Sequence, residues 1–269
     1  MIECVKLENL EMEYMRFGKG KKVFVILPGL SVQSVLASAP SIEKQYGAFR
    51  DEYAVYLFDR RRDPPEGYTV YGMAKDTAKV MEALGLEEVC LFGASQGGMM
   101  AQVIALEHPR LIKKLALGSS ACRISAKSRA VLEEWLGFAK AGDAEKLYVS
   151  FGEKLFPAET FAQYRDAFAM MAQSVTADDL KRFITLAEGS IGFDVKDRLK
   201  EIKCPVLALG DLKDAVLGAG AALEIADALR GNPGSELYMY PGYGHAAYDT
   251  APDYKQRLLS FFNKQEDRQ

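Results

Sequence analysis

A chain of 269 residues that is 49% hydrophobic and 26% charged carries enough apolar side chain for one large buried core, with room for an insertion. Its 34 Lys and Arg against 37 Asp and Glu leave a formal charge of −3, so composition offers no basic surplus for nucleic acid and no long like-charge block for a tail. No stretch approaches the roughly 18 apolar residues of a spanning helix, and Met1-Ile2-Glu3-Cys4-Val5-Lys6 lacks the basic segment and apolar run of a signal peptide.

Residues 2–8 and 11–17 alternate as two strands, and Gly18-Lys19-Gly20-Lys21 reads as a hairpin-like turn. Lys22 to Leu27 is a nearly continuous apolar run, the pattern of a strand covered on both faces, and it ends in Pro28-Gly29-Leu30. A short helix is expected within residues 34–50, followed by a buried strand from Tyr53 to Asp59. Arg60-Arg61-Arg62-Asp63-Pro64-Pro65 reads as a solvated basic loop, where the two prolines forbid helix. Thr69 can cap a helix that runs to Leu84 on Val70, Met73, Thr77 and Val80 and stops at Gly85. Strands at Glu88–Phe92 and Leu111–Gly118 flank a further helix that stops at His108-Pro109. Strands alternating with helices predict a parallel, doubly wound α/β sheet.

The alternation breaks at about Ala121, and helix follows helix to about Lys200. One stripe is Val131, Leu132, Trp135, Leu136 and Ala139, another is Phe161, Tyr164, Phe168 and Met171, and Thr176 caps a third helix carrying Leu180, Phe183, Ile184 and Ala187. The block has no strand pattern, so residues 121–200 read as a helical insertion or cap, and residues 1–120 and 201–269 as the core domain. Strands return at Val206–Leu209 and Glu236–Tyr240, with helices from about Ala219 to Leu229 and from about Pro252 to Phe262. The polar tail from Asn263 to Gln269 is expected to fray. Cys4, Cys90, Cys122 and Cys204 have no metal-ligand spacing and read as buried free thiols of a reducing cytoplasm.

The chemistry gathers around Gly93-Ala94-Ser95-Gln96-Gly97-Gly98, between an apolar strand and a helix. A tight strand-to-helix turn lifts the Ser95 hydroxyl clear of the sheet and puts the Gln96 N–H at a helix N-terminus, where developing negative charge is favoured. In open α/β sheets chemistry lies outside the carboxyl ends of the strands. At two later strand ends stand Gly210-Asp211-Leu212-Lys213-Asp214 and Gly242-Tyr243-Gly244-His245, so serine, acid and histidine occur in the order Ser95, Asp214, His245. A serine needs a base to take its proton, and the base needs a carboxylate to fix its tautomer. Asp211 shares the loop and competes for the acid role, which is assigned to Asp214. His108, the other histidine, reads as a helix C-cap at the wrong end of its helix. Leu30, after Pro28-Gly29, is the second N–H donor expected beside Gln96 for an oxyanion hole.

With these residues together the chain resembles an α/β-hydrolase fold protein over nearly its whole length, on Pro28-Gly29-Leu30, Phe58-Asp59-Arg60-Arg61, Gly93 to Gly98, Gly210 to Asp214 and Gly242 to His245. The resemblance implies an eight-stranded sheet, a cap inserted after the sixth strand, and hydrolysis through an acyl-enzyme with no cofactor or metal. A serine nucleophile argues against the haloalkane dehalogenase branch, which uses aspartate. Two positions depart from the family: Pro28 stands where histidine is frequent, and Arg60-Arg61-Arg62-Asp63 lacks the usual glycine, which leaves positive charge at the pocket rim as the alternative to the solvated basic turn expected there. The expectation is a cytoplasmic serine hydrolase, an esterase on a small carboxylic ester, acting on a small molecule with neither nucleic acid nor membrane as partner. Monomer and homodimer stay open. A carbon–carbon bond hydrolase, an acyltransferase on the same triad, and a non-catalytic ligand-binding protein are the alternatives.

Overall fold

The structure, a computed structural model, describes residues 1–265. Strands β1 (Ile2–Leu7) and β2 (Leu10–Phe17) form an antiparallel hairpin. β3 (Lys22–Leu27), β4 (Tyr53–Arg61), β5 (Val89–Ala94), β6 (Ile112–Gly118), β7 (Val206–Asp211) and β8 (Glu236–Tyr240) run parallel to one another, and β2 joins them antiparallel to β4. The eight strands lie in the order β1-β2-β4-β3-β5-β6-β7-β8, the mostly parallel sheet expected.

The turn at Gly18 to Lys21 is not a hairpin, because β3 pairs with β4 and β5 rather than with β2. Turn chemistry is local, whereas strand order is set by burial: β4 is buried along almost its whole length and takes the interior place between β2 and β3. The linking residues instead cross the start of β4, where a Cβ on Gly20 would run into the Glu52 backbone.

Each face of the sheet has its own core. On one, Phe24, Phe49, Tyr53, Phe92, Tyr254 and Phe261 pack beneath α1 (Ala39–Gln45) and the C-terminal helix. On the other, α2 (Val70–Ala83) and α3 (Gln96–Glu107) bury Met73, Val80, Met100 and Ile104. Each large apolar side chain so buried contributes about 1.5–3 kcal/mol before entropy is counted. Thr69 caps α2 by accepting the Gly72 N–H, and Gly85 follows at φ +65°.

Between β6 and β7 stand α4 (Ala126–Lys140), α5 (Ala144–Leu155), α6 (Ala158–Gln173) and α7 (Ala177–Glu188). The α4 stripe is buried, and Trp135 lies 4.1 Å from the Phe151 ring while its indole N–H donates to Ser150. Thr176 and Asp179 form a reciprocal capping box at α7. The α6 stripe is only half interior: Phe161 is buried, whereas Tyr164 and Met171 are exposed, because α6 packs mainly on α5. These helices reach the carboxyl ends of the strands through Tyr148 to Gln33 (3.1 Å), Arg182 to Asp59 (2.8 Å) and the Ala246 N–H to the Leu155 carbonyl (3.0 Å).

α8 (Gly220–Ala228) follows β7, and α9 (Ala247–Thr250) and α10 (Tyr254–Asn263) follow β8. α9 was too short to leave a periodic signal. Asn263, expected in a frayed tail, accepts hydrogen bonds from Lys22 and Tyr53 at 2.8 Å; residues 266–269 of that tail lie outside the described residues. Cys90 and Cys122 are buried, and burial pushes their thiols up to about 11 and about 12. Cys4, expected among the buried thiols, is exposed on the edge strand β1. Among the described residues no helix is long and apolar enough to cross a membrane.

Candidate active site

Ser95 sits between β5 and α3 at φ +50°, ψ −118°, a conformation that costs a non-glycine residue about 1–3 kcal/mol and persists only where surrounding structure enforces it. The enforcement is visible. The Ser95 N–H donates to the Gly118 carbonyl at 2.8 Å, and its carbonyl accepts from Ser120 Oγ at 2.8 Å and from the Gly98 N–H at 2.9 Å. The flanking glycines are needed for close approach: a Cβ on Gly93 would strike the Gly97 carbonyl, and one on Gly97 the carbonyls of Leu27 and Pro28.

His245 lies in the loop after β8, 2% exposed, with Nε2 2.9 Å from Ser95 Oγ and Nδ1 2.9 Å from Asp214 Oδ2. Asp214 uses its other oxygen to accept the N–H groups of Val216 (2.8 Å) and Leu217 (2.9 Å). Burial alone would push the Asp214 carboxyl up, but the charge and hydrogen bond of His245 and the two backbone donors outweigh burial and hold it below the usual carboxylate range. Asp211 is occupied otherwise: its oxygens accept the N–H groups of Lys213 and Tyr243, both at 2.7 Å. Of the two loop carboxylates, Asp214 is therefore the one that reaches the imidazole. His108 closes α3 at the far end, 3.1 Å from Glu82.

The loop after β3 faces the serine, since a Cβ on Gly29 would stand 3.3 Å from Ser95 Cβ and 3.8 Å from Tyr248 Oη. Among the described residues no acceptor occupies the N–H of Leu30 or of Gln96, the first residue of α3. The Gln96 side chain is engaged with the helical segment, where Nε2 donates to the Leu186 carbonyl and to Ser190 Oγ, both at 2.8 Å.

The basic loop is the main correction. β4 continues through Arg61, and Arg60 is 4% exposed rather than solvated. Its Nη2 donates to the Pro28 carbonyl at 2.7 Å and to Gln96 Oε1 at 3.1 Å. Arg61 pairs with Asp76 at 3.0 Å, and of the three arginines only Arg62 is exposed. Ser120 and Tyr248 carried no signal in the sequence, since each acts through a contact with a residue distant in the chain, whereas Arg60 stood in the stretch read as solvated.

A cavity of about 320 Å³ adjoins the site, lined by Gly29, Leu30, Ile42, Leu57, Phe92 and Tyr248 among others. Its size suits a small molecule. A larger cleft, about 1070 Å³, opens at the opposite ends of β3, β5 and β6 beside Lys22, Glu88 and Lys113, away from the strand ends where ligands gather in such sheets.

Comparison with known proteins agrees with this fold. Residues 22–252 match the family model described as alpha/beta hydrolase fold. The chain is 26% identical over 236 residues to RutD of Caulobacter sp. (strain K31), provisionally named a carbamate hydrolase, covering 81% of this chain and 84% of that protein. The crystal structure of MGS-M2, an alpha/beta hydrolase enzyme from a Medee basin deep-sea metagenome library, superposes with a TM-score of 0.87 at 20% identity, covering 98% of both chains. The enol-lactonase of Burkholderia xenovorans LB400 superposes with a TM-score of 0.83 at 18% identity, covering 97% of this chain and 100% of that one. The chain therefore belongs to the α/β-hydrolase fold family.

Proposed function

We propose that this α/β hydrolase is a serine hydrolase that cleaves a small carboxylic ester or a close acyl analogue. The observation that carries the reading is the continuous chain Ser95 Oγ, His245 Nε2, His245 Nδ1, Asp214 Oδ2, with both links 2.9 Å. Ser95 attacks the acyl carbonyl while its proton passes to His245 Nε2, and the carbonyl oxygen takes negative charge between the N–H groups of Leu30 and Gln96. His245 then gives the proton to the departing alkoxide. Water, deprotonated by the same nitrogen, releases the acid and restores Ser95. Asp214 holds the imidazole in the tautomer with a proton on Nδ1.

The helices of residues 121–200 act as the cap over this centre, and their contacts with Gln33, Asp59 and Gln96 support that role. The adjoining cavity supports a short, uncharged acyl group. The provisional name of RutD is compatible with acyl-carbonyl chemistry, so carbamates belong in the substrate panel beside esters and lactones. The four cysteines support a reducing, cytoplasmic setting.

The test is a fluorophosphonate probe followed by intact-protein mass. Wild type is expected to gain one adduct at Ser95, and Ser95→Ala none. An unmodified wild-type protein under conditions that label a control serine hydrolase overturns the reading. With labelling established, vinylogous diketones and added alcohol or thiol acceptors separate carbon–carbon bond hydrolysis and acyl transfer from ester hydrolysis.

A further inference from the structure

Burying an arginine is expensive, several kcal/mol for the desolvated charge unless an opposite charge meets it. Arg60 is buried at the end of β4, yet among the described residues no carboxylate lies within ion-pair distance of its guanidinium. The adjacent Asp59 turns elsewhere, accepting Arg182 Nη2 at 2.8 Å and the Arg60 backbone N–H at 2.7 Å. Glu13, Asp59 and Asp179 share one pocket with Arg60, Arg62 and Arg182, so charge balances over the group, but none of the three carboxylates pairs with the Arg60 guanidinium. Burial draws the Arg60 guanidinium down to about 10, partly countered by Asp59, which still leaves it charged at neutral pH. Its Nε is buried without an acceptor.

The two acceptors that Arg60 does hold belong to the two halves of the oxyanion site. The Pro28 carbonyl opens the loop whose next residues are Gly29 and Leu30, and Gln96 supplies the other N–H donor. One nitrogen, Nη2, bridges them. The loop after β3 and the start of α3 already touch where the Gly97 backbone lies against the carbonyls of Leu27 and Pro28, but that contact is steric, and the Arg60 hydrogen bonds tie the two together. A hydrogen-bonded bridge holds that approach at one distance between the two donors, and a charge placed beside them favours whatever anion they enclose.

We propose that Arg60 is the positioning residue of the oxyanion hole: its bridge from Pro28 to Gln96 holds the Leu30 and Gln96 N–H groups at one spacing, and its buried charge, which no carboxylate pairs with, stabilises the oxyanion that forms between them. The inference rests on the serine hydrolase reading and adds to it the source of the site's electrostatic preorganisation. A residue of this kind acts on the transition state and not on the bound ester. Its removal therefore lowers kcat and leaves KM in place.

The experiment uses three proteins, wild type, Arg60→Met and Arg60→Lys, each assayed for turnover of an activated ester, for inhibition by a boronic acid that forms a tetrahedral anion on serine, and for thermal melting. Arg60→Met keeps side-chain bulk without the charge or the fork. It is expected to lower kcat about 10²-fold, the loss seen when one oxyanion donor is removed, to leave KM within about twofold, and to weaken the boronate by a factor matching the kcat loss. Arg60→Lys restores the charge but not the two-acceptor geometry, so it is expected to recover part of both losses. If Arg60→Met does not fold, the same comparison is made between wild type and Arg60→Lys. Unchanged kcat and boronate affinity in a folded variant overturn the inference, as does a kcat loss that follows the melting temperature without any change in boronate affinity. A wild-type protein without a Ser95 fluorophosphonate adduct overturns the serine hydrolase reading itself, so the two failures are distinct.

Discussion

Asp211 accepts the backbone N–H of Tyr243 at 2.7 Å, so the loop that carries Asp214 is tied to the loop that carries His245 through a second carboxylate. Two aspartates three residues apart thus divide the work, one holding the loops together and the other holding the imidazole. Asp214→Asn is expected to lower kcat roughly 10⁴-fold through loss of the imidazole tautomer, with little change in melting temperature. Asp211→Asn leaves one half-buried N–H without its acceptor and is expected to cost roughly 1 kcal/mol of stability while activity per folded molecule stays within a few-fold. Paired ester assays and thermal melts check both. Equal loss of kcat in the two variants would reverse the assignment.

Acid should act on the fold through Asp214. The folded-state acidity of Asp214 is stronger than its unfolded-state acidity, so the stability it contributes is complete above the ordinary carboxylate range and is lost as pH falls through the lowered value. Below about pH 4, the stability of wild type should therefore fall more steeply than that of Asp214→Asn. Urea unfolding of the two proteins at a series of pH values measures the difference. Parallel curves would mean that the carboxylate gains nothing from its surroundings.

The strain at Ser95 predicts opposite effects on activity and stability. Ser95→Ala and Ser95→Gly both remove the nucleophile, but only glycine relieves the backbone at φ +50°. Ser95→Gly is expected to be more stable than Ser95→Ala by about 1 kcal/mol, the lower end of the strain carried by such a residue. Differential scanning calorimetry decides it, and identical melting temperatures would show that the turn is unstrained.

Chain-length preference offers a test of the cavity. Ile42 lines it on the side of α1, away from Ser95, His245 and Asp214. Ile42→Trp should shift the preferred acyl chain of a p-nitrophenyl ester series toward acetate and lower kcat/KM for longer esters about tenfold, a loss of about 1.4 kcal/mol, while acetate turnover holds. An unchanged profile would assign the acyl group to another space.

These contacts also explain what could be read from the residues alone. Ser95 and His245 were legible because their surroundings are local: glycines on both sides of a strand-to-helix turn, and a Gly-rich loop at a strand end. Asp214 against Asp211 was less so, since both stand in one loop and the difference lies in which backbone N–H groups each oxygen meets. Arg60 was misread because three consecutive arginines before two prolines have the composition of a solvated turn. Its burial depends on Pro28 and Gln96, 32 and 36 residues away in the chain. The link at Gly18 to Lys21 failed for a related reason, as nothing within it records that β4 lies between the strands it connects. On α6, the apolar stripe gave the helix but overstated its burial, because a stripe does not say how many neighbours come to cover it.

The hydrogen bond from the Ala246 N–H to the Leu155 carbonyl joins the residue after the histidine to the last residue of α5. A Cβ on Gly244 would also stand only 2.7 Å from that same carbonyl, so the loop is pressed against the helix end as well as bonded to it. The helical segment is thus latched to the loop that carries His245, and an opening motion that lifted α5 would carry His245 out of line with Ser95. Under the proposed mechanism, admission of substrate past α5 and readiness for proton transfer are mechanically opposed at this point.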